Sequence, residues 1–486
     1  MQIGWEAVIG IECHVELKTK SKMFCSCPNE FGGEPNTKIC PVCLALPGAL
    51  PVANKTAIGL MVRAGLAFGA DIPVFSKFDR KNYFYPDMPK DYQISQYDMP
   101  LTQGGAVRFW LDDGTEKSCR LTRIHLEEDT GKSTHAGSTD GRIAGSSHSL
   151  IDFNRAGVPL MECVSEPDLR SAEEAVAYLE ALKRTFVQLD ISDVKMEEGS
   201  LRCDANVSIR PSGTTELGTK TEIKNMNSFR SVQRAIQSEI LRQTEILDSG
   251  GRIIQETRGW NETDGVTHSM RNKEQAHDYR YFPDPDLVPV QLQQTFVDEI
   301  RESFPELPVD RLARYVDLRL TVAQASQLTD NVPLAEFFDA CVRSSGKPQQ
   351  SVNFVLGDLS KLANESGISV ADSRVKPEHV AELIELVENE TINSKIAKDV
   401  LARVWESGTS TKQIVEKEGL AQTSDAGAID AFIDPVLSSN SKSIADFKAG
   451  KENALKFLMG QVMRASRGKA NPVLLEARLR ERILLS

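Results

Sequence analysis

No stretch of this 486-residue chain approaches the ~20 consecutive apolar residues that a membrane span needs, so no membrane segment is expected. The opening Met-Gln-Ile-Gly-Trp lacks a basic flank followed by an apolar run, so no secretory signal is expected either, and the chain reads as cytoplasmic. Positive charge is scarce: 57 Lys and Arg face 69 Asp and Glu, and the net charge of −12 argues against a protein that coats nucleic acid indiscriminately. A phosphate loop is missing too. Gly131-Lys132-Ser133 ends like one, but the glycine required five positions before Gly131 is Leu126. No G-x-S-x-G or G-x-C-x-G elbow occurs, and Gly145-Ser146-Ser147 lacks the flanking glycines and partner lysine of a serine-rich hydrolytic motif. The chain is therefore not expected to carry its own hydrolytic nucleophile.

Cysteine is present in a pattern. Of nine cysteines, Cys25, Cys27, Cys40 and Cys43 form two closely spaced thiol pairs joined by a short loop, with Pro28, Gly32, Gly33, Pro35 and Pro41 supplying turns. That spacing suits a closed, tetrahedral structural zinc. Two disulfides or four free thiols are the other readings. Disulfides are disfavoured because Cys13, Cys119, Cys163, Cys203 and Cys341 are scattered and no export signal is evident. A zinc of this kind builds structure and does not identify a reaction. Charge is also uneven. From residue 441 to 486 ten basic residues stand against four acidic ones, a surplus of six on an acidic chain. That asymmetry fits nucleic-acid contact, or a solvated helical surface.

The first ~290 residues read as β-rich, with short alternating runs between turn residues. In Leu201–Arg210 the apolar Leu201, Cys203, Ala205, Val207 and Ile209 share one face, opposite Arg202, Asp204, Asn206, Ser208 and Arg210. Ile9–Leu17 behaves alike, with Glu12, His14 and Glu16 on its polar face. Helices are expected over 172–189, opened by a Ser171 cap with Glu174 three residues on, and over 228–247. Pro283-Asp284-Pro285-Asp286 predicts a stiff extended linker. Beyond it, 308–318, 332–342, 377–388 and 394–407 have helical spacing, and a softer break falls at Gly408-Thr409-Ser410. The fold class expected is α+β, divided as 1–292, 293–409 and 410–486.

Several polar residues sit where propensity would not place them. Glu162 interrupts the apolar run 158–164, and His125 and Glu127 share a strand face, as Glu12 and His14 do. Carboxylates with a neutral imidazole suit Mg²⁺ or another hard cation; ordinary salt bridges are the plainer reading. Lys220, Glu222 and Lys224 alternate along one run. Lys77–Tyr85 and Asp278–Phe282 interleave cations with aromatics, a texture that holds phosphates or stacks a base, or else packs a surface strand with aliphatic stems.

Taken together, Val8-Ile-Gly-Ile-Glu-Cys-His-Val-Glu-Leu17, Lys77-Phe-Asp-Arg-Lys-Asn-Tyr-Phe-Tyr-Pro-Asp87, His125-Leu-Glu-Glu-Asp-Thr-Gly-Lys132 and Val164-Ser-Glu-Pro-Asp168 resemble the GatB family of the bacterial tRNA-dependent amidotransferases. Met196-Glu-Glu-Gly-Ser-Leu-Arg-Cys-Asp-Ala-Asn206, Asp278-Tyr-Arg-Tyr-Phe-Pro-Asp284 and Gly468-Lys-Ala-Asn-Pro472 extend the resemblance over essentially the full length. It implies an N-terminal cradle on an antiparallel sheet with a zinc knuckle, an all-α helical domain and a small helical YqeY-like tail that grips tRNA. It implies a heterotrimer with an amidase-type partner, which hydrolyses glutamine, and a small third protein. The GatB chain would use ATP to phosphorylate the side-chain carboxylate of misacylated Glu-tRNA(Gln) or Asp-tRNA(Asn), and channelled ammonia would displace the phosphate. The family's magnesium positions, with which the catalytic role goes, match Glu12, His14, Glu127 and Glu162. The zinc cysteines are kept here although some members lack them. Asp204, Asn206, Lys220, Glu222 and Lys224 are the expected contacts to ATP or the acyl end. A tRNA-binding scaffold without kinase activity and a freestanding carboxylate kinase are the alternative readings.

Overall fold

The computed structural model describes residues 4–137, 146–272, 279–422, 426–466 and 469–485. Gly145, Asp278 and Gly468, which figure in the motifs above, and Arg467, one of the ten basic residues of 441–486, lie outside the described residues. Two compact units make up the chain, Met1–Arg311 and Leu312–Ser486.

The first unit is built on a nine-stranded sheet. At its centre lies the strand Trp5–Glu16, flanked by Leu201–Pro211 on one side and Pro159–Ser165 on the other, with Glu116–Glu128 beyond the latter. Period-two alternation divides the sheet cleanly. Ile9, Ile11, Cys13 and Val15 are buried, as are Cys203, Ala205, Val207 and Ile209, against the helices Ala172–Gln188 and Phe229–Asp248. Tyr178, Leu179, Leu182, Val232 and Ile236 complete that core. The Ala172–Gln188 helix opens as expected: Ser171 accepts from the Glu174 amide at 3.1 Å. The Glu174 carboxylate, however, accepts from the Arg170 amide at 2.8 Å rather than from Ser171.

The sheet is antiparallel with one exception. Thr221–Lys224 runs parallel to Glu256–Asn261, because the 20-residue helix Phe229–Asp248 crosses over between them. A smaller three-stranded sheet, in the order Phe282–Pro283, Asp79–Asn82, Tyr92–Ser95, is tied to the large one. The Ile94 amide donates to Glu128 at 2.9 Å, and the Gln93 side chain donates to the Glu128 carbonyl at 2.7 Å.

That smaller sheet corrects the linker reading of Pro283–Asp286. The stretch is extended, as its prolines require, but Phe282–Pro283 pairs with Asp79–Arg80, and Asp284 is buried against Arg80 at 2.8 Å. Proline suits an edge strand as well as a linker, and the ion pair is non-local, so local sequence does not separate the two. The division between the compact units comes later, after Arg311.

In the second unit the described elements are helices. Pro377–Glu388 and Ser394–Ser407 carry the expected limits, and the latter ends on Gly408 in the left-handed conformation. Gly408 is thus a helix cap rather than an open break. The next helix, Thr411–Lys417, starts at once, with the buried Thr411 hydroxyl donating to the His379 carbonyl at 3.0 Å. A separate apolar cluster gathers Ile429, Ile433, Leu455, Leu458, Val462, Leu475, Leu479 and Ile483. No helix among the described residues is long and apolar enough to cross a membrane.

Candidate functional site

The polar face of the large sheet carries the site. Antiparallel register sets His14 opposite Glu162 and Arg202, and Glu162 opposite His125, so four strands contribute one row: His125, Glu162, His14, Arg202. Glu127 stands on the same face as His125, two residues on. His14 Nε2 lies 3.6 Å from Glu127 Oε1 and 3.6 Å from Glu162 Oε2. Glu127 is buried, and Ser95 of the small sheet donates to it at 3.4 Å.

His125 holds Glu162 in place. Its Nδ1 accepts from Arg123 at 3.3 Å, so the imidazole carries its proton on Nε2, which lies 3.2 Å from Glu162 Oε2. Burial acts to raise the Glu162 pKa, but His125 and His14 outweigh it and hold the carboxyl well below its usual range. Burial likewise disfavours the His14 cation, yet the adjacent carboxylates of Glu162 and Glu127 bring its pKa up to about 8. Alongside, burial and the neighbouring Asp129 push Glu16 up to about 7.

Of the four residues expected to bind magnesium, His14, Glu127 and Glu162 converge, each offering one ligand atom within 4.8 Å of the others. An ion about 2.0–2.3 Å from each ligand separates neighbouring ligand atoms by about 3–4 Å, so the donor set and its spacing fit a hard divalent cation. Glu12 shares the face but stands outside this group, its Oε1 accepting from Asn206 at 2.8 Å. Asp204 and Lys224 pair directly, and Lys224 lies 3.2 Å from Glu222, which also accepts from Thr257 at 2.7 Å. Lys220 is exposed and precedes the strand Thr221–Lys224, so it does not alternate along that strand with the other two.

Two cations escaped the sequence reading as individuals. Lys81, on the strand Asp79–Asn82, sits 5.0 Å from the ring of Tyr279, and the charges of Glu127 and Glu162 help to raise its pKa against the effect of burial. Arg202 donates to the buried Asp129 at 2.7 Å. Lys81 lay within the noted aromatic and cationic run, and Arg202 on the polar face beside Asp204. Neither pattern signals which neighbour a non-local register will supply.

The chain belongs to the GatB family. Residues 7–298 match the GatB/GatE catalytic domain, and residues 336–483 match the GatB domain of YqeY type. Full-length relatives agree. The B subunit of the aspartyl/glutamyl-tRNA(Asn/Gln) amidotransferase from Carboxydothermus hydrogenoformans is 50% identical over 480 residues, 99% of each chain. That of Moorella thermoacetica is 51% identical over 99% of this chain and 100% of its own. The Brevibacillus brevis protein of the same name is 50% identical over 98% of each. All of the converging row, from His125 to Arg202, falls within the GatB catalytic match.

A second potential metal site lies in the same GatB catalytic region. The Cys25, Cys27, Cys40 and Cys43 sulfurs all lie within 4.8 Å of one another. A tetrahedral zinc with Zn–S near 2.3 Å needs sulfurs about 3.8 Å apart, so the cluster could hold zinc. The Cys40 amide donates to Cys43 Sγ at 3.1 Å. The hydrogen bond from Cys25, the backbone of Cys40 and the charge of the buried Lys22 pull Cys43 down to about 5, whereas burial pushes Cys27 up to about 11. One thiol of the group is thus already disposed to be a thiolate.

Proposed function

We propose that this chain is the acyl-activating component of a tRNA-dependent amidotransferase. It binds misacylated Glu-tRNA(Gln), Asp-tRNA(Asn) or both, transfers a phosphoryl group from ATP to the side-chain carboxylate, and lets ammonia from a glutaminase partner form the amide. The observation that carries this reading is the convergence of His14, Glu127 and Glu162 in a GatB-family chain.

The carboxylate is a poor electrophile, because hydroxide or oxide is a bad leaving group. A carboxylate oxygen attacks the γ-phosphorus, ADP departs, and an acyl phosphate results. The ammonia lone pair then attacks the acyl carbon, the C–O bond to phosphate breaks, and a proton leaves nitrogen. Positioning and charge neutralisation dominate phosphoryl transfer. His14, Glu127 and Glu162 would hold Mg²⁺, with His125 fixing Glu162. The ion, when bound, supplies charge neutralisation at phosphoryl oxygens. Glu12 and Asn206 stand beside that centre on the same sheet face, with Asp204, Glu222, Lys224 and Lys220 as contacts to ATP or the acyl end. Lys81 and Arg202 add positive charge where phosphate arrives.

Residues 1–292 form the catalytic cradle in this reading, 293–409 a helical domain, and 410–486 the tail that grips tRNA. The assembly is a cytoplasmic heterotrimer with an amidase-type partner and a small third protein, and zinc in the Cys25–Cys43 cluster is structural. Amidation assays on the trimer carrying Glu127→Gln test the chemistry. Amide formation is expected to fall by about 10²- to 10³-fold with tRNA affinity kept, the scale on which removing a charge-stabilising group slows a reaction. Unchanged amidation would assign the kinase chemistry elsewhere and leave this chain a tRNA-binding scaffold.

A further inference from the structure

Asn471, in the motif that ends at Pro472, serves two neighbours at once. Its side-chain oxygen accepts from the Val473 amide at 3.0 Å and the Leu474 amide at 3.3 Å, capping the helix Pro472–Leu485. Its side-chain nitrogen donates to Glu390 Oε2 at 3.2 Å, 81 residues away in sequence. Serine, threonine or aspartate would cap the helix as well, but of the good capping side chains only asparagine adds an amide donor. Asn471 is buried, so that donor would be costly to leave without its acceptor.

Glu390 is held in place for the contact. It lies in the turn between Pro377–Glu388 and Ser394–Ser407 with φ of 53°, a left-handed conformation that favours glycine. The turn is firm, because Ile392 is buried and its amide donates to the Leu386 carbonyl at 3.1 Å. From the same turn the Thr391 carbonyl accepts from the Gln422 amide at 2.6 Å. Nearby, Lys469 Nζ lies 3.9 Å from where a β-carbon on Gly419 would stand. These contacts are polar, whereas the apolar cluster of the tail draws its members from Ile429 to Ile483 alone. A body with its own core, joined through polar contacts, keeps its fold when they break and gains freedom to turn.

We propose that Asn471 and Glu390 form a latch that fixes the angle of the tail against the helices before it, and so positions bound tRNA for reaction. The inference rests on the tRNA-dependent reading above and deepens it. A substrate held at two places, its body by the tail and its charged end at the carboxylate centre, gains from rigid linkage. The effective concentration of the second hold depends on how narrowly the first is oriented. A latched tail keeps that concentration high, and an unlatched one samples many orientations. Asn471 and Glu390 are thus positioning residues, acting through the tail.

Two single variants test the latch in the assembled complex. Glu390→Gly removes the acceptor and suits the left-handed turn, while Asn471→Asp keeps the cap and replaces the donor with a charge that Glu390 repels. Each should raise the KM for misacylated tRNA by about three- to ten-fold, the scale of one hydrogen bond, with kcat and the KM for ATP unchanged. Hydrogen exchange should quicken at Gln422 and over residues 389–392, and stay at the wild-type rate across Glu452–Ala465. Adding Glu390→Gln to Asn471→Asp should restore both readouts, because the new amide then donates to the new carboxylate. Wild-type KM and exchange in both single variants, or no recovery in the double variant, would overturn the latch. Quickened exchange across Glu452–Ala465 would overturn it too, by making Asn471 a residue that merely holds the tail together. Quickened exchange at the joint with an unchanged KM would overturn the positioning role. A wild-type complex that amidates no tRNA would overturn the functional reading and the positioning role with it, and the exchange rates would still decide whether the latch exists.

Discussion

His14 is the residue on which burial and charge pull hardest in opposite directions. Its pKa of about 8 in the metal-free site lies above the ordinary value of 6.5, so the folded state favours the proton. The resulting stability is fully present below pH 6.5 and is lost as pH rises through 8, by about 2 kcal/mol in all. In EDTA the stabilisation of wild type relative to His14→Gln should therefore shrink as pH rises from about 6.5 through 8, since the slopes that Glu16 and Cys43 add are common to both proteins, and Mg²⁺, which needs the neutral imidazole, should bind wild type more tightly as pH rises to about 8. Spacing put forward two i, i+2 pairs, Glu12 with His14 and His125 with Glu127, and one carboxylate, Glu162, in an apolar run; the resemblance to the GatB family narrowed these to Glu12, His14, Glu127 and Glu162. Spacing could not rank them. Alternation tells which residues share a face, but the closure of His14 on Glu127 and Glu162 depends on register between strands far apart in the chain, and so does the separation of Glu12, which pairs instead with Asn206.

Elements with local signals were legible, and those with non-local partners were not. Pro377–Glu388 and Ser394–Ser407 were readable from apolar spacing, a signal that acts within a few residues, whereas the Gly408 that caps the latter read as a break. The alternation of Trp5–Glu16 and Leu201–Pro211 was equally plain. The parallel pairing of Thr221–Lys224 with Glu256–Asn261 was not, because a crossover helix shows its path only once the sheet is assembled. The cysteine loop stands between these cases: its spacing is local, and its bond to the fold is not, since the Met23 amide donates to the Gly157 carbonyl at 2.7 Å. With little apolar core of its own between Cys25 and Val52, this loop would depend on a zinc held by its four cysteines. Extraction of zinc by a strong chelator is expected to open residues 25–52 to protease while the sheet keeps its protection, and wild-type resistance after complete extraction would show the loop to be held by packing alone.

At the scale of the whole molecule, charge is divided along the chain. Part of the basic surplus near the C-terminus is internally neutralised: Arg478 pairs with Asp430 and Glu481, Arg480 with Glu452 and Glu476, Arg482 with Asp434, and Lys451 with Asp446. Lys442, Lys448, Lys456 and Arg464 are exposed and remain the better candidates for phosphate binding. Composition could report the surplus but not this partition. Replacing those four with alanine should reduce the slope of log K against log salt for tRNA binding by about one for each phosphate no longer neutralised, while kcat at saturating tRNA is unchanged. An unaltered slope would make the surface a solvated one.

The central claim is that this chain activates a tRNA-borne carboxylate by phosphorylation at the His14, Glu127 and Glu162 centre. The most direct measurement is nucleotide breakdown by the purified complex with Glu-tRNA(Gln), Asp-tRNA(Asn) and each uncharged tRNA, resolving ADP from AMP. The account predicts ADP and phosphate only with a misacylated tRNA, lost in Glu127→Gln, with the more active tRNA revealing the preferred acyl group. AMP and pyrophosphate would mean activation as an adenylate, and tRNA binding without charged-tRNA-dependent turnover would mean a scaffold; either result contradicts the account.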